Sequence, residues 1–244
     1  MRVFSVHVRT PAESLRRPLL FPLEPTGSRT MVRDGICGRC LPQLFIMNLH
    51  KLRQSIRAQR RQLTPQTISA HARLMANRAS REIRFLKAKR IAFYIGVNGE
   101  MDPAPLVDQA FAMGKQCYFP VLTHRPANRL VFSEFRHQSP QTINRFGIPE
   151  PAFPHRNSLS PWLLDLVFVP LVAFDLQGNR LGMGGGFYDR TFSFKTQRSH
   201  WRGPKLIGLA HEFQKSEQTL TANHWDIPLD AVITEKRVYR LPSV

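Results

Sequence analysis

A chain of 244 residues exceeds the usual range of about 100 to 200 for one compact domain, so one or two domains are allowed. Hydrophobic residues at 42% and charged residues at 21% furnish a sizeable core and exclude a disordered chain, while no window approaches the ~18 uninterrupted apolar residues of a membrane span. Thirty-five Lys+Arg against seventeen Asp+Glu leave +18, which suits a polyanion, an anionic surface or phosphorylated small molecules without choosing among them.

Residues 1–46 carry seven Arg, three acids and several Pro, with no sustained helical or alternating pattern; a poorly ordered extension is expected there. Met47 stands where regular patterning begins, so an over-extended start site is the preferred account, and residues 47–244 form the expected domain. Cys37-Gly-Arg-Cys40 has C-x-x-C spacing, but a zinc half-site needs two more ligands and a redox motif needs a surrounding βαβ unit; chance explains the spacing. With Cys117, three unevenly placed cysteines are too few for a disulfide framework, and a cytoplasmic location fits best.

Residues 47–90 hold twelve Lys+Arg and one acid, Glu82, so the basicity belongs mainly to this one segment. Leu49, Leu52, Ile56 and Leu63 follow a helical stripe, with Arg53, Arg57, Arg60 and Arg61 on other faces. Thr64-Pro65 reads as the N-cap and first-turn residue of a second helix, whose apolar line runs Ile68, Ala72, Met75, Ala79, Ile83 and Leu86. Two basic amphipathic helices therefore open the domain.

An apolar strand from Ile91 to Ile95 follows, then a Gly-Asn-Gly turn region, a helix from Pro103 to Met113 stopped by Gly114, and a second strand from Cys117 to Val121. The crossover is long enough for parallel pairing. Further strands are expected at Leu130–Phe135, Leu166–Val169, Leu206–Ala210 and Ala231–Thr234. Runs without alternation are buried on both faces, which predicts an α/β fold with a mostly parallel central sheet flanked by helices.

The chemistry is concentrated in Val169-Pro170-Leu-Val-Ala-Phe174-Asp175-Leu-Gln-Gly178-Asn-Arg180-Leu181-Gly182-Met-Gly184-Gly185-Gly186-Phe187-Tyr188-Asp189-Arg190. Four glycines within five residues, after a buried strand and before a helix-compatible stretch, let the backbone bring its N–H groups to an anion. The string is neither a P-loop nor a dinucleotide fingerprint. A flexible loop with Arg180 and Arg190 solvated is the alternative at this point. The nine histidines are scattered without H-x-x-x-H or H-E-x-x-H pairs, no G-x-S-x-G elbow is present, and Cys117 in its apolar strand reads as an inert packed thiol.

Taken whole, that string resembles the 5-formyltetrahydrofolate cyclo-ligase family, also called methenyltetrahydrofolate synthetase, whose pattern is P-x-x-A-F-D-x-x-G-x-R-L-G-x-G-G-G-Y-Y-D-R. The resemblance spans residues 49 to about 236 and includes Gly99-Glu100-Met101-Asp102, Ile148-Pro149-Glu150-Pro151, and His224-Trp225-Asp226 followed by Thr234. It implies ATP- and Mg2+-dependent cyclisation of 5-formyltetrahydrofolate to 5,10-methenyltetrahydrofolate with release of ADP and phosphate. The formyl oxygen is a poor leaving group until phosphorylated, after which N10 can attack the adjacent carbon.

The resemblance further implies roles for individual residues. Arg53 and Arg57, four apart on one helical face, would grip phosphates, Arg53 standing where relatives usually carry Lys. Gly182, Gly184, Gly185, Gly186 and Phe187 would wrap the ATP phosphates, with Phe187 replacing a usual Tyr. Arg180 would neutralise phosphate or anchor the loop, and Tyr188 would present a hydroxyl to the reacting groups. Asp189 and Asp226 would hold Mg2+. Glu100 would accept from the pterin's amino-pyrimidine donors, and Phe146 would pack on the folate ring. Arg60 and Arg61 are assigned to a solvated face, and Tyr188 and Asp189 to an exposed loop. A monomer without membrane or nucleic-acid partners is expected. The alternatives are a nucleic-acid-binding protein, motivated by residues 47–90, and an isomerase or transferase on a similar scaffold, which would act without ATP.

Overall fold

The computed structural model describes residues 40–123, 128–136, 139–152, 158–197 and 203–242, with backbone alone for 40–48. Residues 1–39 of the expected extension, Cys37 among them, lie outside the described residues. The strands are β1 (Arg90–Ala92), β2 (Gln116–Leu122), β3 (Leu130–Phe135), β4 (Gln141–Ile143), β5 (Pro149–Pro151), β6 (Ser158–Leu159), β7 (Leu166–Pro170), β8 (Ala173–Phe174), β9 (Arg180–Leu181), β10 (Lys205–Leu209), β11 (Ala231–Ile233) and β12 (Val238–Arg240). The helices are α1 (Cys40–Gln62), α2 (Pro65–Ala79), α3 (Ile83–Lys87), α4 (Ala104–Ala112), α5 (Phe187–Phe192) and α6 (Phe194–Gln197). Met47 thus falls inside α1.

Eight strands form one sheet in the order β12-β11-β10-β7-β1-β2-β3-β6. The five from β11 to β2 are parallel, and the pairings β11–β12, β2–β3 and β3–β6 at the margins are antiparallel. This is the mostly parallel α/β sheet predicted from the uninterrupted apolar runs. The chain goes from β1 outward to β2 on one side and later places β7 on the other, so the strand order reverses between β1 and β7. In open α/β sheets the carboxyl ends at such a reversal are where ligands bind.

Both faces of the sheet are covered. Ile91, Phe93, Leu166, Phe168, Ile207 and Leu209 share one buried cluster with Met75, Ala76 and Ala79 of α2, Phe85 of α3 and Leu106 and Ala110 of α4. The Phe168 ring stacks on Phe93 at 5.2 Å between centroids. Their strand neighbours Ala92, Val167, Val169 and Leu206 point the other way, into a cluster with Phe192 of α5 and the returning segment at Ile227 and Leu229. Burial pushes the Cys117 thiol up to about 12, which leaves it an inert packing group. The second helix starts as its residues dictate: the Thr64 hydroxyl accepts from the Thr67 N–H at 3.1 Å, with Pro65 in the first turn.

A third, smaller cluster seats α1 on the β8–β9 hairpin: Leu49, Leu52 and Ile56 pack against Val172, Ala173, Leu181 and Leu220. The hairpin itself is built around Asp175, which is 3% exposed. Its Oδ1 accepts from the N–H groups of Gln177 and Asn179, both at 2.9 Å, and its Oδ2 from Asn179 Nδ2 and the Leu220 N–H, both at 2.8 Å. This is the physical content of the A-F-D portion of the motif. Asp175→Ala is expected to lower unfolding free energy by at least about 2 kcal/mol, because buried donors lose their charged acceptor. In urea titrations the midpoint should fall with little change in slope; an unaltered midpoint would contradict this account of the hairpin.

Candidate active site

Four pieces of chain meet at the carboxyl ends of β1 and β7: the second half of α1, the Val97–Glu100 turn after β1, the glycine-rich loop with α5, and the Asn144–Ile148 turn between β4 and β5. The turn after β1 requires glycine. Gly99 has φ +71°, and a Cβ there would lie 2.6 Å from the Arg60 carbonyl oxygen. This close approach presses the turn onto α1 and carries Glu100 inward.

Glu100 is 9% exposed and pairs with Arg60, itself 1% exposed, at 3.4 Å. The assignment of Arg60 to a solvated face is therefore corrected. The apolar stripe 49, 52, 56, 63 has a gap one turn after Ile56, and Arg60 fills that gap on the buried side. Burial raises the Glu100 carboxyl above the ordinary glutamate value, opposed by Arg60 and by the hydrogen bond from the Val97 N–H. Burial likewise lowers Arg60, opposed chiefly by Glu100. Each group therefore bears a desolvation cost that one 3.4 Å contact only partly offsets. The Arg60 Nε is buried with no hydrogen-bond partner among the described residues.

Beside this pair lie two phenols. The Tyr94 hydroxyl donates to the Met101 carbonyl at 2.6 Å. Tyr188 carries no such bond among the described residues; burial raises its hydroxyl, the Glu100 charge raises it further, and Arg180 opposes both. Tyr188 and Asp189 fall in the first turn of α5 and are only partly exposed, not on the exposed loop that the sequence suggests. The reason is packing: the Tyr188 ring stacks on Phe192, which the sheet buries completely.

The glycine loop is held at both ends and open in the middle. At its start Arg53 Nε donates to the Gly182 carbonyl at 3.0 Å. At its end Arg190 Nη1 donates to the Gly185 carbonyl at 2.6 Å. Gly184 and Gly186 take left-handed φ values of +101° and +63°, and an added Cβ at Gly182 or Gly184 would meet nothing within 4 Å. The N–H groups of Gly182, Gly184, Gly185 and Gly186 donate to no described residue. The space beside Gly182 and Gly184 is open, and unpaired backbone donors of this kind can serve an anion.

Arg180 is an anchor in this structure. One terminal nitrogen donates to the Ile227 carbonyl and the other to Asp189 Oδ1, which also accepts from the Ile227 N–H at 3.1 Å. This closed tie fastens the loop to the segment after Asp226. Asp226 Oδ2 accepts from the Asn223 N–H at 2.8 Å and from Asn223 Nδ2 at 3.2 Å. Each of the two carboxylates thus has one oxygen engaged and one without a described hydrogen bond, a donor set that fits a hard cation retaining several waters.

Phe146 is 56% exposed, with its ring edge-on to Phe187 at 5.9 Å. Glu150, the acid of Ile148-Pro149-Glu150-Pro151, explains its placement: Oε2 accepts from the Leu122 N–H at 3.3 Å and from Asn144 Nδ2 at 3.2 Å, fastening the turn to the end of β2. Arg53, Glu100, Phe146, Arg180, the glycines, Phe187, Tyr188 and Asp189 are thereby drawn to one end of the sheet, with Asp226 next to the Ile227 tie. Arg57, one helical turn after Arg53, is exposed and has no hydrogen bond among the described residues. Sequence reasoning missed Tyr94, whose burial just after the first strand carries no motif.

Known proteins resemble this chain over most of its length. The model of the 5-formyltetrahydrofolate cyclo-ligase family matches residues 47–235. The 5-formyltetrahydrofolate cyclo-ligase of Escherichia coli is 39% identical over 186 residues, covering 75% of this chain and 98% of that protein. That of Haemophilus influenzae is 37% identical over 183 residues, covering 74% and 90%. The solved structure of Aquifex aeolicus 5,10-methenyltetrahydrofolate synthetase superposes with a TM-score of 0.66 at 30% identity, covering 80% of this chain and 94% of that one. A match that takes in the opening helices, the glycine loop and the closing His224-Trp225-Asp226 places the chain in the 5-formyltetrahydrofolate cyclo-ligase family.

Proposed function

We propose that this protein uses ATP to convert 5-formyltetrahydrofolate to 5,10-methenyltetrahydrofolate, releasing ADP and phosphate. The observation that carries this reading is the juxtaposition of an unpaired glycine cradle with an under-compensated Arg60–Glu100 pair at one strand-order reversal. The cradle suits a terminal phosphate. Glu100 suits the amino-pyrimidine donors of a pterin, whose hydrogen bonds would offset the cost of keeping that carboxylate buried.

In this arrangement the N–H groups of Gly182, Gly184, Gly185 and Gly186 hold the phosphates, and Arg57 supplies a cation from α1. Arg53 acts through the loop, its Nε setting the position of Gly182 while its other donors remain available to phosphate. Phe146 and Phe187 cover the opening and restrict water. Tyr188, held as a neutral phenol, can donate its proton in a hydrogen bond to the formyl oxygen as phosphoryl is transferred in line. N10 then attacks the activated carbon, its proton leaves with phosphate or passes to water, and the methenyl cation forms as the carbon–oxygen bond breaks. Asp189 and Asp226 would hold Mg2+ through their remaining oxygens, and the ion would offset phosphate charge. Arg180 keeps Asp189 oriented.

The nucleic-acid alternative rests on the basic charge of residues 47–90, and much of that charge is directed inward. Five arginines of the basic segment are turned to internal acceptors: Arg53 to Gly182, Arg60 to Glu100, Arg78 to Glu235, Arg84 to Asp230 and Arg90 to Asp165.

Purified protein given 5-formyltetrahydrofolate, ATP and Mg2+ is expected to develop the near-ultraviolet absorbance of a methenyl product. Absence of any ATP-dependent change would refute the assignment. Glu100→Gln should raise the folate KM by about 10- to 100-fold with a smaller change in kcat, the value of one charge-assisted hydrogen bond. Because burial lifts the Glu100 carboxyl above 4.5, acidification should protonate it, and raise KM, at higher pH than for an ordinary glutamate. In Glu100→Gln that pH dependence should disappear; its persistence would assign the titration to another group.

A further inference from the structure

Behind the Gly99–Glu100 turn, on the side away from the glycine loop, three side chains from distant parts of the chain converge. His71 comes from α2, His211 follows β10, and Glu235 follows β11. His71 Nδ1 lies 2.9 Å from His211 Nδ1 and 3.9 Å from Glu235 Oε1, and the three ligand atoms all lie within 4.8 Å of one another. His211 is fully buried, Glu235 is 7% exposed and His71 is 23% exposed. None of these residues belongs to the site described above.

The orientations are fixed from behind. His211 Nε2 faces the Gly99 carbonyl at 3.2 Å. A carbonyl only accepts, so Nε2 carries the hydrogen and the lone pair sits on Nδ1, which faces His71 Nδ1 at 2.9 Å; the His211 side chain also caps the Gln214 N–H, a contact that an ion on Nδ1 would displace. Glu235 Oε2 accepts from the Glu212 N–H at 2.9 Å, which leaves Oε1 directed at the histidines. The Glu235 carbonyl accepts from Arg78 Nε at 3.0 Å. A carbonyl on the far nitrogen of a ligating histidine and an N–H on the far oxygen of a ligating carboxylate are the outer contacts that orient metal ligands.

We propose that His71 Nδ1, His211 Nδ1 and Glu235 Oε1 form a site for a divalent first-row transition ion, with Zn2+ the best fit and water completing the coordination on the exposed His71 side. Two imidazoles and one carboxylate are donors that zinc accepts in four-coordinate sites. Bonds of about 2.0–2.2 Å in a tetrahedron place ligand atoms roughly 3.3 Å apart. The observed 2.9 and 3.9 Å bracket that spacing and the remaining pair lies within 4.8 Å, so the side chains need only draw together to close the tetrahedron. Such an ion would cross-link α2 to the ends of β10 and β11 and brace the Gly99 turn through His211. The site is separate from the carboxylates assigned to Mg2+ and does not rest on the proposed activity.

The test uses the full chain stripped with a chelator, then titrated with Zn2+ in competition with a chromogenic chelator and separately with Co2+. One equivalent of Zn2+ should bind, and Co2+ should give visible d–d bands without the near-ultraviolet sulfur-to-cobalt charge transfer that cysteine ligation would produce. His71→Ala and Glu235→Gln should each weaken Zn2+ binding by about 100-fold or more and abolish the d–d bands, with the far-ultraviolet circular dichroism unchanged for the helix-compatible His71→Ala. The Cys37→Ser/Cys40→Ser double variant should bind as before. Failure of the wild type to bind one equivalent, retention of binding in His71→Ala, or its loss in the cysteine variant would each overturn the proposal.

Discussion

A sheet buried on both faces leaves only its strand ends to meet solvent, and that constraint organises the molecule. Helices α2, α3 and α4 seal one face and α5 with the returning segment seals the other. Groups that must touch a small molecule are therefore confined to the connections. Between β1 and β7 two of those connections leave in opposite senses, and the space between them is the natural opening. The glycine loop and the Gly99 turn come from these two connections.

Within that opening the protein spends charge in two ways. Arg180 and Asp189 neutralise each other and, with Ile227, make a rigid brace. Arg60 and Glu100 are buried more deeply and joined less well, at 3.4 Å and with an Nε that has no partner among the described residues. The brace and the under-compensated pair use similar residue types. Burial and the number of satisfied hydrogen bonds separate them.

Much of this was legible in the residues. Leu130–Phe135 is a strand at the boundaries its apolar run suggests, and the strands near 117, 166, 206 and 231 lie within a residue or two of theirs, because burial on both faces writes itself as uninterrupted hydrophobicity. The first strand is shorter than its run: Arg90–Ala92 pairs with β2 and only Ile91 and Ala92 also pair with β7, while Phe93 keeps one N–H bond to the Tyr118 carbonyl. Strands β4, β5, β6, β8 and β9 span two or three residues, too few to carry a period. The glycines marked the loop between β9 and α5 by composition. Arg60 was obscured because counting charges on a helix does not say which turn faces inward, although the gap after Ile56 held that information. The meeting of His71 with His211 spans 140 positions and is a product of topology that no local pattern records.

One attachment has a bearing on how freely this part of the chain can drift. Arg53 grasps the start of the glycine loop by a main-chain oxygen, and no side chain of the loop takes part. The grip is blind to residue identity: Met183, which is 52% exposed, can be exchanged for almost anything without loosening the latch from α1. Substitution at Arg53 itself has less latitude, because its side chain must be long enough to reach that oxygen, and the forked guanidinium does so through Nε while keeping further donors to spare.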